Sequence, residues 1–546
     1  MAYPSYRAPL LWLLIPMICG YVADFHLPNL PVLVTLITAF VALTGAIWSL
    51  RTTTNGISQR YWSILFLLGV FIASLLYYQQ TRRFPGLWEI LPPREANLTL
   101  KVKRLYASAD SSVVKGIAKI VETEDHLNPL LGFPIYFSVY AEEQPIDRGQ
   151  KISTRGLLNY LPSKDSLSIF EQYLTGQSVS LTLTRAYLTA EPESGNLFEV
   201  LISNIRRKAI ESLGIQLKEF PEDLSIYRGM MLGIKGELSN ENKQLFIRTG
   251  TLHLFAISGL HVGIIAVTWA GLFTVLRVPR RLSVILGLLL VYIYVETTGA
   301  SPSAVRAFAM TAFFWLGTSI VRQMPPFQAL IASAVVVLLF SPSQLFSAGF
   351  QLSYTVVTGI LAWGIPFFQF LREKWHANIL QKQPHQSRII KLITKIGEAV
   401  VGTFCISLSA TLASAPLSIL YFGILAPFAV VLNMALVPIA SLVIVSGLFS
   451  LIFGIGGASA LSGFFNHGPL LLIKIIQNLL DWVVSAPGAF FPMAWVWDGL
   501  GFITAILFLG SLVAGHSLKL PKLWLFSFPV VLTTGMISLN TLIQII

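Results

Sequence analysis

Charged residues are scarce in this sequence. Asp, Glu, Lys and Arg make up 12% of its 546 residues, and 54% of the residues are hydrophobic. A soluble domain usually contains about 25% charged residues, and the mean hydropathy here is +0.69. These values exclude a soluble globular domain. They predict a polytopic membrane protein, because many segments reach the roughly 20 apolar residues that cross a hydrocarbon core of about 30 Å.

Cysteine is rare, and nucleotide-binding loops are absent. The two cysteines, Cys19 and Cys405, lie in apolar segments, where they act as small hydrophobic residues and say nothing about the redox compartment. The sequence has no Gly-x-x-x-x-Gly-Lys-Ser/Thr loop to hold nucleotide phosphates, no short-period repeat and no low-complexity tract. We therefore expect no cofactor and no ATP hydrolysis in this chain.

Apolar runs define two membrane regions, residues 1–79 and 224–546, with a polar segment between them. The first span lacks a small-residue cleavage site, so we expect it to stay in the membrane rather than to be removed as a signal peptide. The predicted spans lie near 8–25, 30–50, 60–79, 250–275, 282–298, 303–321, 326–343, 345–371, 396–421, 424–455, 466–486, 498–516 and 523–545.

Lysine and arginine predict which loops face the cytoplasm, because cytoplasmic loops carry an excess of basic residues. Basic residues occur at 51–60 and 277–281, at Arg322 and just before the last span. The loop at 371–395 holds six of them against one acid. One threading satisfies all these loops: the N-terminus is inside, and the polar segment and the C-terminus are outside. The net charge of +12 therefore mainly reflects topology.

The first part of the polar segment, residues 80–196, contains short strands. In "NLTLKVKRL" (97–105) apolar and polar residues alternate, as in a strand with one buried face. Five such strands in about 90 residues predict a small closed barrel such as an OB-fold, although a five-stranded sandwich has the same pattern. The other four candidates, which turn residues separate, are 112–123, 134–141, 151–160 and 178–188.

The predicted β domain is not basic overall. Between residues 84 and 200 there are 11 Lys and Arg against 14 Asp and Glu, a net charge of −3, whereas a groove for phosphates should be basic. Lys101, Lys103 and Arg104 form a local stripe that offers contacts to DNA or is simply a solvated strand face. Residues 197–223 follow, and their helical spacing and basic cluster predict an amphipathic helix on the membrane surface.

"HLFAISGLHVG" (253–263) places two imidazoles and a serine, Ser258, in a run that is apolar enough to span a bilayer. His253 and His261 are eight residues apart, about two helical turns, so a continuous helix would put them on one face. Polar groups in a span face a bundle interior or an aqueous cavity. Their concentration here favours a route for a hydrophilic substrate over simple packing. Three glycines permit close helix approach or a broken helix: Gly250, Gly259 and Gly263.

Other predicted spans also carry polar groups. Arg306 lies near the outer start of its span, where an arginine is costly unless it is paired, solvated or directed to the headgroups. Prolines at 416 and 438 indicate kinked or discontinuous helices, which occur around substrate paths and also in ordinary helix bundles. Further polar residues at comparable depth are Gln351, Ser353 and Asn433.

These stretches resemble the ComEC family of competence proteins, which carry transforming DNA across the bacterial inner membrane. The resemblance covers most of residues 8–460, and the β domain resembles the OB-like domain of the family. The spans after about 460 match the family only in being hydrophobic. The matching stretches, in the order of the family, are "YRGMMLGIKGEL" (227–238), "GTLHLFAISGLHVGI" (250–264), "GASPSAVRAFAM" (299–310), "SAGFQLSY" (347–354) and "LNMALVPIASL" (432–442).

The resemblance implies an inner-membrane channel for single-stranded DNA, with residues 224–460 as its core and 461–546 as further spans. It implies four partners besides the lipid bilayer: the DNA strand, an extracytoplasmic DNA receptor, a cytoplasmic ATP-driven motor or helicase, and a separate nuclease. Neutral donors suit such a path, because they bond phosphates without trapping them as a dense ring of lysines would. The expected path residues are His253, Ser258, Gly259, His261, Arg306, Gln351, Ser353 and Asn433.

One feature of many family members is absent from this sequence. Their metallo-β-lactamase-like domain needs a His-x-His-x-Asp-His cluster to hold metal, and the sequence has none. We therefore expect no metal site and no enzymatic activity in this chain. Two other function classes stay open. One is an intramembrane hydrolase, with Ser258 as nucleophile and a histidine such as His261 as base. The other is a transporter of a small polar or lipid-linked substrate.

The predicted topology is testable by cysteine labelling. In a background without Cys19 and Cys405, we expect Lys164→Cys to react with an impermeant thiol reagent added to intact cells. Lys382→Cys should react only after the membrane is opened, because the basic loop lies inside. Labelling of Lys382→Cys but not of Lys164→Cys in intact cells would invert the threading.

Overall fold

The computed structural model describes most of the chain. The helices and strands below, and every statement about contacts, refer to these residues. They are residues 9–26, 40, 44, 56–82, 92–106, 112–141, 146–161, 169–234, 236–251, 254, 257–320, 324–380, 388–485, 488, 490–518 and 520–545.

The chain forms two compact units. The first comprises Met1–Val200 and Ala309–Ser347, and the second comprises Leu201–Phe308 and Ala348–Ile546. The first unit contains the β domain and the first spans. The second contains most of the stretches that carry the polar residues.

Five strands of the first unit close into a barrel. Around the ring the order is β1, β2, β3, β5, β4, and β4 pairs with β1. All neighbours are antiparallel except β3 and β5, which are parallel. The predicted small OB-like barrel is confirmed, and the sandwich alternative is wrong because the sheet has no open edge. The strands are β1 (Arg94–Tyr106), β2 (Val113–Thr123), β3 (Pro134–Tyr140), β4 (Lys151–Tyr160) and β5 (Leu181–Leu188).

Alternating apolar residues fill the barrel, because successive side chains of a strand point to opposite faces. Leu98, Leu100 and Val102 of β1 are buried in the same cluster as Phe137 of β3. Gly116 of β2 lies where the barrel wall is tightest. A Cβ at this position would run into the carbonyl oxygen of Arg104 and lie 2.9 Å from the Phe137 ring. The barrel therefore requires glycine at position 116.

The remaining regular elements are almost all helices. A π-helical turn, Ile360–Gly364, separates α11 from α12, and two short strands, β6 (Ile424–Leu425) and β7 (Phe491–Pro492), pair with each other. The helices are α1 (Leu11–His26), α2 (Gly56–Arg82), α3 (Ile169–Thr175), α4 (Leu197–Leu213), α5 (Pro221–Leu232), α6 (Asn240–Arg248), α7 (Gly259–Val275), α8 (Arg280–Thr297), α9 (Pro302–Ile320), α10 (Pro326–Phe340), α11 (Ala348–Gly359), α12 (Ile365–Leu380), α13 (Arg388–Phe422), α14 (Ala429–Ile455), α15 (Ser459–Ser485), α16 (Asp498–Ser517) and α17 (Lys522–Ile545).

Many of these helices suit a bilayer. Among the described residues, seven helical segments are long and apolar enough to cross a membrane. Three more apolar helices are shorter: Leu11–Phe25, Gly259–Val275 and Pro326–Phe340. The predicted architecture, a polytopic helical membrane protein with an inserted barrel, is confirmed. The seven segments are Ser63–Thr81, Ala348–Trp375, Leu392–Phe422, Ala429–Ile455, Ser459–Ser485, Asp498–His516 and Lys522–Gln544.

Contacts within the second unit join helix ends that the predicted threading puts on the same side. Lys522 Nζ lies 2.9 Å from Glu373 Oε2, and both residues belong to segments expected inside. Near the other end of α17, Asn540 Nδ2 donates to the carbonyl oxygen of Ala494 over 3.0 Å. These pairs agree with the relative order of the spans, while the orientation in the membrane stays a prediction.

Some sequence predictions fall outside the described residues. They are most of the span near 30–50, the basic residues Arg51, Arg322 and Lys519, the labelling positions Lys164 and Lys382, and His253. The predicted surface helix at 197–223 corresponds to α4 and the first residues of α5. Its location on the membrane surface stays a prediction.

The tight position in the barrel gives a stability prediction. Gly116→Ala should destabilise the barrel by about 1–3 kcal/mol, because the added methyl group meets backbone that cannot move aside cheaply. Lys119→Ala, at an exposed position of the same strand, is the matched control and should be neutral. The measurement is the temperature at which the barrel of the purified protein becomes protease-sensitive. Equal temperatures for the two variants would contradict the prediction.

Candidate functional site

The polar stretch 253–263 is not one continuous helix. Ile257 and Ser258 are not helical, and α7 begins at Gly259. His261 therefore lies in the first turn of α7, and the prediction that it shares a helical face with His253 falls outside the described residues. Ser258 has the extended backbone angles of a helix N-cap, with φ −107° and ψ 175°. Serine favours this position because its side chain bonds to the open backbone groups of the first turn.

Ser258 and His261 contact each other. His261 Nδ1 lies 3.0 Å from Ser258 Oγ and 3.4 Å from the backbone nitrogen of Ser258. Such a return contact from the third helical residue to the N-cap is a capping box, in which the third residue is usually Glu or Gln. Because Nδ1 accepts the backbone N–H, the proton of the neutral ring lies on Nε2. The histidine therefore helps to define where α7 starts.

The start of α7 lies within the apolar part of the chain. The 17 residues of α7 extend over about 25 Å, less than the hydrocarbon core of about 30 Å. Backbone without helical bonds is tolerated at such depth only where protein surrounds it or water reaches it. His261 is fully buried, with 0% of its surface exposed, and so is Thr251 before it. Protein thus encloses the imidazole next to an interrupted helix.

The glycines of this stretch have different roles. Gly250 has a φ of +70°, which glycine adopts without strain, and it follows the end of α6. Gly259 and Gly263 have open space: no heavy atom lies within 4 Å of where a Cβ would be. The expectation that they permit close helix approach is therefore wrong for Gly259 and Gly263. The interruption near Gly250 agrees with the alternative of a broken helix.

Arg306 is buried in the second turn of α9. Only 3% of its surface is exposed, and its Nη2 donates to the carbonyl oxygen of Gly349 over 2.8 Å. A Cβ at Gly349 would lie 3.2 Å from that nitrogen, so glycine makes room for the guanidinium. The interpretation that Arg306 reaches the outer headgroups is wrong, since the side chain turns into the protein. A charge thus lies at the junction of α9 and α11.

The other predicted path residues lie on α11 and α14. Gln351 Oε1 accepts a hydrogen bond of 2.8 Å from the Tyr421 hydroxyl of α13. Ser353 is half-buried on α11. Asn433 of α14 is half-buried as well, and its Oδ1 is buried without a hydrogen-bond partner among the described residues. The structure therefore pairs Ser258 with His261, Arg306 with Gly349 and Gln351 with Tyr421, on several helices.

The main interruption of a long span was not predicted. Helices α13 and α14 run through Pro416 and Pro438, so of the two predicted alternatives the discontinuity is wrong, and the kink stays a prediction. The π-helical turn Ile360–Gly364 precedes Pro366 instead. Proline has no N–H for the carbonyl four residues earlier, and its ring presses on that carbonyl, which belongs to Ala362. The sequence signal was a Gly-Ile-Pro triplet inside an apolar run, at 364–366.

A buried polar cluster of the second unit was also missed. Asn466 of α15 accepts from the Tyr227 hydroxyl over 3.2 Å and donates to the carbonyl oxygen of Ser212 over 2.9 Å. Ser462 lies 3.0 Å from Ser450 and donates to the same carbonyl. Complete burial of such groups is tolerated because they bond to one another. The cluster fixes α5, which carries part of the "YRGMMLGIKGEL" stretch, against α14 and α15.

The basic stripe of the barrel is only partly free. Lys101 forms an ion pair of 2.9 Å with Glu199, which neutralises its charge. Lys103 is exposed. Arg104 donates from Nη1 to the Tyr173 hydroxyl over 3.2 Å. The three residues therefore do not form one basic surface, and Arg104 belongs to an aromatic group instead.

This aromatic group, here called the aromatic patch, comprises Tyr106, Tyr136, Phe170 and Tyr173. Neighbouring ring centroids are 5.3 to 6.4 Å apart. Phe170 and Tyr173 of α3 are 44% and 38% exposed, so part of the patch is open to a ligand. Burial raises the pKa of Tyr106 above its ordinary value, and nearby Tyr173 raises it further. The Tyr106 hydroxyl therefore stays protonated and able to donate.

The capping contact of His261 gives a prediction about stability. His261→Ala should lower the free energy of unfolding by about 1–2 kcal/mol, because the start of α7 loses a bonded partner. His261→Gln should lose much less, since glutamine is an ordinary third residue of a capping box. Thermal unfolding of the purified variants measures both effects. If glutamine proves as destabilising as alanine, the return contact to Ser258 is not what the histidine provides.

Comparison with known proteins links these features to one family. A family model described as competence protein matches residues 230–518. The match starts after the barrel and extends into the region after 460, where resemblance had been expected in hydrophobicity alone. It includes α7 with its capping contact, Arg306, the π-helical turn and the whole of α16.

Three curated relatives match parts of the chain. ComE operon protein 3 of Bacillus subtilis (strain 168) is 28% identical over 316 residues, which cover 57% of this chain and 36% of that protein. The uncharacterized protein YcaI of Escherichia coli (strain K12) is 24% identical over 308 residues, or 55% and 38% of the two chains. An uncharacterized protein of Aquifex aeolicus (strain VF5) is 30% identical over 128 residues, or 23% and 30%.

The matched regions thus span less than two fifths of the length of each of these relatives. No solved structure matches the chain. The family model, however, covers more than half of the 546 residues, including the helices that carry the polar contacts. The chain therefore belongs to the competence protein family, as its resemblance to ComEC predicted.

Proposed function

We propose that this chain is a conduit that passes single-stranded DNA through the bacterial cytoplasmic membrane during natural competence. Its N-terminus would lie in the cytoplasm and its C-terminus outside. An extracytoplasmic DNA receptor would deliver the strand, and a cytoplasmic ATP-driven motor or helicase would pull it. A separate nuclease would carry out any degradation of the second strand. Membership in the competence protein family supports this role.

The observation that carries the proposal is the accessible start of α7 within an apolar region. The first N–H groups of a helix have no intrahelical acceptor and form the positive end of the helix dipole. Such ends bind phosphate groups. Gly259 is exposed, with no heavy atom within 4 Å of the Cβ position. A phosphate could therefore approach this end of α7 closely, and His261 would fix the position of that end.

The strength with which the path binds phosphates matters as much as the presence of donors. A strand must bind well enough to enter and weakly enough to leave. The start of α7 offers neutral donors, and Arg306 adds one charge-assisted contact. Gln351, Ser353 and Asn433 add amide and hydroxyl groups on other helices. This mixture suits passage of a phosphate chain better than a ring of charged residues would.

In the described conformation Arg306 would not be open to a passing strand. Arg306 is only 3% exposed and is bonded to Gly349. A phosphate can reach the guanidinium only after this contact is broken. Passage therefore requires α9 and α11 to separate at that point.

The aromatic patch of the barrel suits an earlier step, capture of the strand. Aromatic side chains bind single strands by stacking on the bases, independently of sequence. Stacking also explains how a domain with a net charge of −3 binds DNA without a basic groove. Arg104 lies beside Tyr173 and supplies a phosphate contact, with Lys103 exposed on the same strand.

A second candidate function is an intramembrane hydrolase. The 3.0 Å contact between Ser258 Oγ and His261 Nδ1 is also the arrangement of a nucleophile and its base. The capping role explains the same contact without any reaction, because the hydroxyl and the imidazole both serve the start of α7. A transporter of a small polar or lipid-linked substrate would use the same polar groups.

The conduit is tested by ionic current through purified protein in a planar bilayer. A single-stranded oligonucleotide should produce transient blockades of the current. Arg306→Met should reduce their frequency at least about tenfold, because the charge-assisted contact is lost. Arg306→Lys, which keeps the charge, should retain more. Arg206→Met is the matched control, since Arg206 also donates to a carbonyl at a helix end, that of Thr297, and should have little effect.

Two results would overturn the conduit. One is the absence of blockades in the unaltered protein, whereas normal blockades in well-folded Arg306→Met would show only that the strand does not contact Arg306. The other is covalent labelling of Ser258 by a fluorophosphonate probe that His261→Gln abolishes. Because glutamine keeps the capping contact but cannot serve as a base, that pattern would indicate the hydrolase.

A further inference from the structure

The π-helical turn Ile360–Gly364 divides the span Ala348–Trp375 into two halves. Single π-helical turns within α-helices are uncommon and frequently occur at functional sites. Pro366 explains why the turn is here, because it leaves Ala362 without its helical N–H donor. The turn is held in place by contacts with other helices.

Two helices from the end of the chain bond to this turn. His516 Nε2 of α16 lies 2.7 Å from the carbonyl oxygen of Ala362 and donates to it. The imidazole thus replaces the N–H that Pro366 lacks. Beside it, Trp363 Nε1 donates to the carbonyl oxygen of Phe526 in α17 over 3.1 Å. Side chains of α11, α12 and the turn alone could not satisfy these groups in the same way.

Glycines let the turn pack closely on α13. A Cβ at Gly359 would lie 2.8 Å from Ala413 Cβ, and one at Gly364 would lie 2.9 Å from Ser409 Cβ. The hydroxyl of Ser409 lies between these two positions, is fully buried and has no hydrogen-bond partner among the described residues. A buried hydroxyl without a partner is costly. The described state is therefore not the best bonded arrangement for this face of α13.

The two halves of the span are held by different helices. In α12, Phe367 and Phe370 pack on Phe526 with ring centroids 5.1 and 5.3 Å apart, and Glu373 pairs with Lys522. In α11, Gly349 and Gln351 make the contacts with Arg306 and Tyr421. If the turn changes to α-helical geometry, α11 rotates relative to α12 by about 100° for one residue of register.

We propose that the π-helical turn is a hinge that gates the candidate DNA path, and that His516 holds it in the closed state. Its role as a gate rests on the proposed conduit, whereas the hinge itself does not. Release of Ala362 by His516 lets the turn change register. Rotation of α11 then withdraws Gly349 from Arg306 and opens Nη2 of the guanidinium to a phosphate.

Cys405 is a native reporter of this motion. It is fully buried on α13, and its carbonyl oxygen lies 3.3 Å from the Cβ position of Gly364. In a Cys19→Ser background, its reaction with a small membrane-permeant maleimide measures how often the turn leaves α13. His516→Ala should raise the rate about tenfold, the effect of losing one favourable hydrogen bond. This measurement needs no DNA.

Three further variants distinguish motion at the hinge from a general loss of stability. His516→Gln keeps a side-chain N–H donor and should react at the rate of the unaltered protein. His467→Ala is the matched control, because His467 Nδ1 bonds within its own helix, to the carbonyl oxygen of Gly463 over 2.8 Å, and should not change the rate. Trp363→Phe keeps the ring but loses the bond to Phe526. It should raise the rate as His516→Ala does, and it replaces that variant if the latter fails to accumulate.

The results distinguish the hinge from the conduit. Unchanged Cys405 reactivity in both His516→Ala and Trp363→Phe would overturn the hinge. A comparable rise in reactivity in His467→Ala would also overturn it, because the rise would then reflect a general loss of stability. Faster reaction without any change in the oligonucleotide blockades would overturn the gate. If the rate responds but the unaltered protein gives no blockades, the hinge stands and the conduit fails.

Discussion

Hydrocarbon offers no hydrogen-bond partner, so every backbone group that a helix leaves open within the bilayer must find one in the protein. The second unit repeatedly satisfies this constraint by placing a polar side chain at a helix interruption. Ser258 and His261 bond at the start of α7, and His516 bonds the turn before Pro366. Each of these residues looks unusual in an apolar sequence, and each completes the backbone of a neighbouring segment.

This arrangement connects packing with the proposed transport. A polar side chain bonded to backbone in one state is a donor already present inside the membrane, and it needs only to exchange its partner. For Arg306 the exchange would replace the carbonyl oxygen of Gly349 with a phosphate oxygen. The energy cost is lower than for introducing a new charge, because the burial cost has already been met by the fold. The donors that an open path would need can therefore already be present, bonded to backbone, in the closed protein.

Much of the fold follows from local sequence. Alternation in β1 and the spacing of four further strands predicted the barrel, because a period of two determines which face is buried. The apolar runs predicted the helices of the membrane regions, because a helix that crosses hydrocarbon must be apolar along most of its length. The start of α7 was not predicted, since hydrophobicity continues through Ser258 and the cap depends on a three-residue contact. The turn before Pro366 was missed because its donor, His516, lies far away in sequence.

The aromatic patch also depends on residues that are distant in sequence, and local sequence did not predict it. Tyr106 was visible beside the basic stripe, but its partners come from β3 and α3, up to 67 residues away. The four residues of the patch, Tyr106, Tyr136, Phe170 and Tyr173, are too far apart in sequence for a local pattern to show that they meet. The barrel closure brings them to one surface, and the pairing of Lys101 with Glu199 removes a charge that the sequence suggested was free.

The bond between His516 and Ala362 has a consequence for biogenesis. The two residues are 154 positions apart, and ribosomes add about 5–20 residues per second. The span with the π-helical turn therefore enters the membrane about 8–30 s before its donor is made. During that interval the carbonyl oxygen of Ala362 must be served by water, lipid headgroups or the insertion machinery. Final assembly of this span is thus deferred until α16 and α17 have been made.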